Sequence, residues 1–233
     1  MISVCLAAYN GERYITQQID SILIQLGEQD ELIVSDDGST DTTCVLVQAY
    51  QDPRIKLIKG PQEGVIRNVE HLLSHACGEL IFLADQDDIW KENKIERMRA
   101  IFSQHPDIDV VVSDLTIVDE QEQILYPSYF HYRKVKAGFY RNILKNSFIG
   151  AGMAMRKSLL DQALPFPKNI PMHDMWLGLV ARNRVYFLSE PLVYYRRHEQ
   201  NASEIQTTSS SKQKLIWRYN LINALISRLI FKK

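Results

Sequence analysis

The densest group of chemistry-bearing side chains is Asp85-Gln86-Asp87-Asp88, directly after the apolar run Leu80–Ala84. Carboxylates two residues apart on a turn can face one divalent cation. Mg2+ and Mn2+ take such oxygen ligands together with substrate phosphates. The same residues also fit an acidic strand-to-helix turn in which Asp88 caps the next helix. A second acidic turn, Ser35-Asp36-Asp37-Gly38-Ser39-Thr40-Asp41, follows Leu32-Ile33-Val34. One carboxylate there could accept a hydrogen bond from a nucleobase N–H or a ribose hydroxyl, although a plain turn has the same composition. Asp41 reads as a helix cap or first-turn acid. His173-Asp174 opens the apolar helical stretch Met175–Ala181. An Asp at a pocket edge can act as general base on a hydroxyl, and one at a helix start can also be a cap. His198, after Tyr194-Tyr195-Arg196-Arg197, is either a surface histidine or the completion of a metal site begun by carboxylates.

These residues must be positioned by an alternation of strands and helices. Ile2–Ala7, Leu32–Val34, Ile55–Ile58, Leu80–Ala84 and Val110–Ser113 read as short buried strands. Between them, Ile15, Ile19, Ile22 and Leu26, then Val65, Val69, Leu72 and Ala76, recur at helical spacing. Thr40-Asp41-Thr42 can cap a helix, Gly78 can end one, and another runs from Glu92 to Gln104. Such alternation predicts an α/β fold with a mostly parallel sheet and helices on both faces. Ligands of such sheets bind beyond the carboxyl ends of the strands. Tyr9-Asn10, Asp36-Asp37 and Asp85-Gln86-Asp87 would therefore converge on one edge.

The second half is less regular. Residues 115–147 are rich in Tyr, Phe, Lys and Arg with little periodicity. Gly150–Met155, Val185–Leu188 and Val193–Arg196 read as strands, 206–213 as a polar linker, and Leu215–Phe231 as a helix. After Glu204 there are six Lys or Arg residues and no acid. A basic amphipathic helix of this kind either lies in a membrane interface or packs on protein, a second subunit included.

Composition limits the classes. The 233 residues are 45% apolar and 24% charged, enough for one globular domain with its own core. The net charge of −1, from 27 basic and 28 acidic residues, speaks against a nucleic-acid binder. Cys5, Cys44 and Cys77 lie among apolar residues, predicting buried free thiols in a reducing compartment. The start has no signal-peptide pattern, and no apolar run reaches 18 residues. The expected location is the cytoplasm, with contact at the inner face of the membrane left open. No P-loop, GxGxxG dinucleotide loop, zinc pattern or GxSxG elbow occurs.

The ordered set ISVCLAAYNGERYITQQIDSIL, LIVSDDGSTDTT, GVIRNVEHLL, LIFLADQDDIWKENKIE and MHDMWLGLVA…PLVYYRRHEQN resembles a family 2 glycosyltransferase of GT-A fold. The DQDDIW form is most similar to bacterial enzymes that build surface polysaccharides, rhamnosyltransferases among them. The resemblance implies a GT-A domain over 1–205, with a nucleotide-binding half at about 1–114 and an acceptor half at 115–205, then the linker and a basic helix over 214–233. It implies inverting transfer of a sugar from a UDP- or dTDP-sugar donor to a hydroxyl of a glycan or lipid-linked glycan acceptor.

The roles carry over residue by residue. Ala8, Tyr9 and Glu12 match the loop that packs on the nucleotide, and Asp36 or, second, Asp37 matches the acid on the base. Arg67 and Asn68 match the helix approaching the nucleotide. Asp85 and Gln86 fall at the donor site. Asp85, Asp87 and His198 match the ligands of a Mn2+ or Mg2+ ion, Asp87 most directly. Asp174 matches the catalytic base, and Trp176 would lie beside the acceptor. Many members have Pro and Ser/Thr where this chain has Ala7-Ala8, which puts side-chain contacts there in question. The competing readings are a non-catalytic nucleotide-binding or assembly subunit and a sugar-phosphate nucleotidyltransferase. The latter usually shows a Gly-rich N-terminal loop that this chain lacks.

Overall fold

The computed structural model describes residues 1–198 and 211–231. In chain order the elements are β1 (Ile2–Ala8), α1 (Ile15–Leu23), β2 (Glu31–Asp36), α2 (Thr43–Gln48), β3 (Ile55–Lys59), α3 (Val65–His75), β4 (Leu80–Asp85), β5 (Ile89–Trp90) and α4 (Lys94–Gln104). They continue with β6 (Val110–Val118), β7 (Ile124–Tyr126), α5 (Tyr129–Arg133), α6 (Phe139–Leu144), β8 (Met153–Arg156), α7 (Leu160–Ala163), α8 (His173–Val180), β9 (Val185–Arg196) and α9 (Ser211–Phe231).

The strands form one sheet in the order β3-β2-β1-β4-β8-β6-β9-β5, with β7 added on β6. Strands β3, β2, β1 and β4 are parallel. This is the sheet expected from continuous apolar runs covered on both faces. Ile19 and Ile22 of α1 and Val69, Leu72 and Leu73 of α3 are buried against the sheet at the positions their spacing predicts. Gly78 follows α3 where the chain passes β1. A Cβ there would lie 2.4 Å from the Ser3 backbone nitrogen, so only glycine fits the approach.

Beyond β4 the sheet changes sense. Strand β8 is antiparallel to both β4 and β6, whereas β6 and β9 run parallel. The expected strands at 185–188 and 193–196 are one strand, β9, with irregular register around Pro191 against β6. The segment at 115–147 continues β6 and adds β7, α5 and α6. Those helices are five and six residues long, too short for a periodic signal. Asp88 caps no helix. It is buried, and its Oδ1 accepts a hydrogen bond from the Arg196 N–H at 3.1 Å. Cys5 is buried as expected, but Cys44 is half-buried and Cys77 exposed. Of the linker expected over 206–213, residues 206–210 lie outside the described residues, and from Ser211 onward the chain is already α9.

Candidate active site

The carboxyl ends of β1, β2 and β4 open on a cleft of about 1660 Å3. Its opposite wall comes from α8, α9 and the loop before the Gly150–Gly152 turn. Parallel pairing places Ala8 beside Asp36 and Ala7 beside Asp85, so the polar turns after three strands meet at one edge.

The nucleotide-side residues divide into those that face the cleft and those that hold its frame. Ala8 is buried, and its carbonyl accepts the Asp37 N–H at 2.8 Å. Tyr9 is 57% exposed at the rim. Gln86 clips β4 to β1: its Oε1 accepts the Tyr9 N–H and its Nε2 donates to the Tyr9 carbonyl, both at 2.8 Å. The Glu12 carboxylate accepts the Thr42 N–H at 3.0 Å and hydroxyl at 2.7 Å. Asp36, the first choice for the base-contacting acid, turns its carboxylate onto its own turn, accepting the N–H groups of Gly38 and Ser39. Asp37 is the acid that lines the cleft. The Gln62 and Gly64 N–H groups fix its carboxylate at 2.7 and 2.8 Å. Asn68 lines the cleft floor and binds β2, its Nδ2 donating to the Ser35 carbonyl at 2.9 Å.

Two expectations are corrected. Arg67 does not turn to the cleft; its guanidinium pairs with Glu70 and donates to the Phe166 and Pro167 carbonyls. Trp176 is fully buried, and its indole N–H donates to the Ala163 carbonyl at 2.9 Å. It belongs to the core beneath α8. Both sit on helices whose neighbouring residues, Asn68 and Asp174, do face the cleft. Successive helical residues are turned by about 100°, so adjacency in sequence does not carry a shared direction.

Asp87 and His198 come together across 111 residues of sequence, His198 Nε2 lying 2.8 Å from Asp87 Oδ2. Tyr14 stacks on the His198 ring at 5.1 Å between centroids. The Arg196 side chain, only 2% exposed, donates from Nε to the Asp87 carbonyl at 3.0 Å. Arg196 thus holds both Asp87, through its side chain, and Asp88, through its backbone. Burial, together with the charges of Asp87 and Asp174, pushes the Asp85 carboxyl up to about 7. Behind these acids lies Lys94, with no exposed surface. Its ammonium donates to the Ala151 carbonyl at 2.7 Å and sits 3.9 Å from the Trp90 ring. Burial pulls it down to about 7 against the opposing charges of Asp88 and Asp85.

A divalent ion fits this donor set. The paired Asp87 and His198 offer an oxygen and a nitrogen at one point, with Asp85 and Asp88 close behind. Among the described residues no third His, Cys, Asp or Glu completes a protein-only cage. Remaining positions would fall to substrate or water oxygens, the pattern Mg2+ and Mn2+ sites follow.

Asp174 sits in the first turn of α8. Burial pushes its carboxyl up to about 7, against the lowering effect of hydrogen bonds from the Met175 and Gly150 N–H groups and the Asn146 side chain. Its neighbour His173 is buried and pulled down to about 4, hence neutral. Tyr14, Lys94, Asn146 and Arg196 were not singled out from sequence. Arg196 alone carried a signal, its position beside His198 in a run of aromatic and basic residues.

Comparison with known proteins agrees with this geometry. The family model described as Glycosyl transferase family 2 matches residues 3–164. An uncharacterized glycosyltransferase of Nostoc sp. is 27% identical over 227 residues, 91% of this chain and 70% of the relative. The Escherichia coli UDP-Glc:alpha-D-GlcNAc-diphosphoundecaprenol beta-1,3-glucosyltransferase WfgD is 28% identical over 191 residues, 79% of this chain and 72% of the relative. Among solved structures, S. aureus TarS residues 1–349 with UDP-GlcNAc superpose with a TM-score of 0.70 at 21% identity, covering 97% of this chain and 72% of that one. Glucosyl-3-phosphoglycerate synthase from Mycobacterium tuberculosis, solved with Mn2+, UDP and phosphoglyceric acid, gives 0.60 at 21% identity, covering 98% and 78%. The fold is therefore GT-A-like, and the chain belongs to glycosyl transferase family 2.

Proposed function

We propose that the chain transfers a sugar from a nucleotide-diphosphate donor to a hydroxyl of a glycan or lipid-linked glycan in bacterial surface-polysaccharide synthesis, with inversion and with a divalent ion. The observation that carries this is one cleft holding the Asp87–His198 pair and a buried carboxylate, Asp174, raised to about 7. The E. coli relative named for UDP-Glc and the neighbour bound to UDP-GlcNAc favour a UDP-hexose over dTDP-rhamnose. A relative named as a putative teichuronic acid biosynthesis glycosyltransferase of Bacillus subtilis, 26% identical over 100% of this chain and 91% of its own length, favours a cell-envelope polymer.

The residues divide the work. Asp37 and the β1 end would hold the base and ribose, with Ala8 and Tyr9 forming the backbone floor. Asp87 and His198 would hold the ion, with Asp85 behind them. A bound Mn2+ or Mg2+ would supply Lewis-acid stabilisation of the departing diphosphate. Asp174 takes the proton from the acceptor hydroxyl as its oxygen attacks the anomeric carbon opposite the diphosphate. A single displacement needs one carboxylate base, unlike the two-carboxylate arrangement of most glycosidases. Positioned general bases contribute on the order of 10²–10⁴-fold.

Asp174→Asn tests the assignment. Transfer, read by mass spectrometry of the acceptor product, is expected to fall by about 10²–10⁴-fold while UDP affinity is kept. Equal loss of UDP binding in that variant contradicts the role.

A further inference from the structure

The helix α9 is seated on the body by one face. Leu221 and Leu225 are buried. Arg228 donates to the Leu164 and Pro165 carbonyls at 2.5 Å, and Arg218 to the Leu144 carbonyl at 2.7 Å. The other face is open and carries exposed apolar side chains: Leu215 is 63% exposed, Tyr219 68% and Ile226 45%. Beside it, α6 exposes Tyr140 at 81% and Leu144 at 65%. Between the two helices lies a pocket of about 690 Å3 lined by Phe139, Tyr140, Ile143, Ile222 and Ile226 among others. Ile143 and Leu144 line both this pocket and the catalytic cleft, so the two are contiguous.

Charge is segregated to α6 and the stretch that leads into it. The chain as a whole is nearly neutral, yet no Asp or Glu occurs from 123 to 160, where Arg133, Lys134, Lys136, Arg141 and Lys145 stand. None occurs in the sequence after Glu204 either; since Arg218 and Arg228 are turned to body carbonyls, the cations of the face are those of α6 and the segment before it. Exposed aromatic and aliphatic side chains framed by cations without acids are the chemistry of an interfacial helix on anionic lipid. No helix among the described residues is long and apolar enough to cross a membrane, so such contact would be adsorption. A two-fold dimer through this face would oppose the patch to itself and set its like charges together.

We infer that α6 and α9 form a docking face for an anionic phospholipid bilayer, which sets the acceptor end of the cleft at the membrane surface. The lipid contact stands on the chemistry of the face. Only its purpose, presenting a membrane-bound acceptor to Asp174, rests on the proposed transfer reaction.

The test is sedimentation of the full chain with phosphatidylglycerol-containing vesicles and with pure phosphatidylcholine vesicles, at low and high salt. Binding is expected to the anionic vesicles alone and to weaken with salt. Tyr219→Ser with Ile226→Ser should reduce partitioning by about ten-fold, and Arg141→Ala with Lys136→Ala by about 25-fold, each cation being worth about five-fold near an anionic surface. Circular dichroism melting and UDP binding should be unchanged in both double variants, which separates failure of docking from failure of the donor site. Absence of vesicle binding, equal binding to both vesicle types without a salt effect, or a concentration-dependent dimer abolished by the Tyr219/Ile226 changes would each overturn the inference.

Discussion

Burial raises the Asp174 carboxyl to about 7, and that value has two consequences of opposite sign. The base is active when ionised, so transfer should rise with pH through about 7 and level off above it, as a kcat/KM profile would show. Folding behaves inversely. The native carboxyl holds its proton up to about 7, while in the unfolded chain it is released near 3.9. Between those values the native state binds more protons, so this group's contribution to stability declines as pH rises. Asp174→Asn should therefore stabilise the fold at pH 8, by on the order of 2–4 kcal/mol, with the gain fading toward pH 4. Denaturant melts at the two pH values measure it; a gain independent of pH contradicts it. The neighbouring pair is tested by His198→Ala. That change leaves Asp87 without its ring partner and should weaken Mn2+-dependent UDP binding by about ten-fold or more. Unchanged metal dependence would remove His198 from the site.

Elements read from periodicity match best where the pattern had room to develop. The nine and eleven residues of α1 and α3 showed their buried faces, and the apolar runs of β1, β2 and β4 located the cleft edge. That Asp85 and Asp87 line the cleft was legible because a strand end dictates where such residues emerge; that Asp37 rather than the preferred Asp36 does so was not, because successive residues at a strand end point to opposite sides. Trp176 and Arg67 were not, because helix residues point around a circle that sequence spacing alone did not fix. Lys94 shows a further limit: a lysine buried beneath the acids, bonded to Ala151 from the other half of the chain, has no local signature. Lys94→Met should cost about 2 kcal/mol, because the Ala151 carbonyl loses its donor and Asp85 and Asp88 lose the facing cation. Chemical denaturation checks it, and a variant as stable as the parent would show that packing alone suffices there. Gly78→Ala should also destabilise, by about 1–3 kcal/mol, since its Cβ would press on the Ser3 backbone between α3 and β1.

At the scale of the molecule, the parallel half carries the donor-side acids and the mixed half carries the base. The junction is β8, antiparallel to both β4 and β6, preceded by the Gly150–Gly152 turn whose Gly150 N–H binds Asp174 and whose Ala151 carbonyl binds Lys94. This junction places Asp174, 87 residues beyond Asp87, in the same cleft. The α/β architecture and the shared edge followed from the sequence pattern. The pairing of β9 with both β6 and β5, which delivers Arg196 and His198 to the acids, depends on long-range contacts that no local pattern encodes. Calorimetric titration of UDP into the protein, with Mn2+ and then with EDTA, tests the central claim most directly. Metal-dependent UDP binding that Asp87→Ala abolishes is the predicted result; UDP binding of equal strength with and without the metal, or none in either condition, would contradict it.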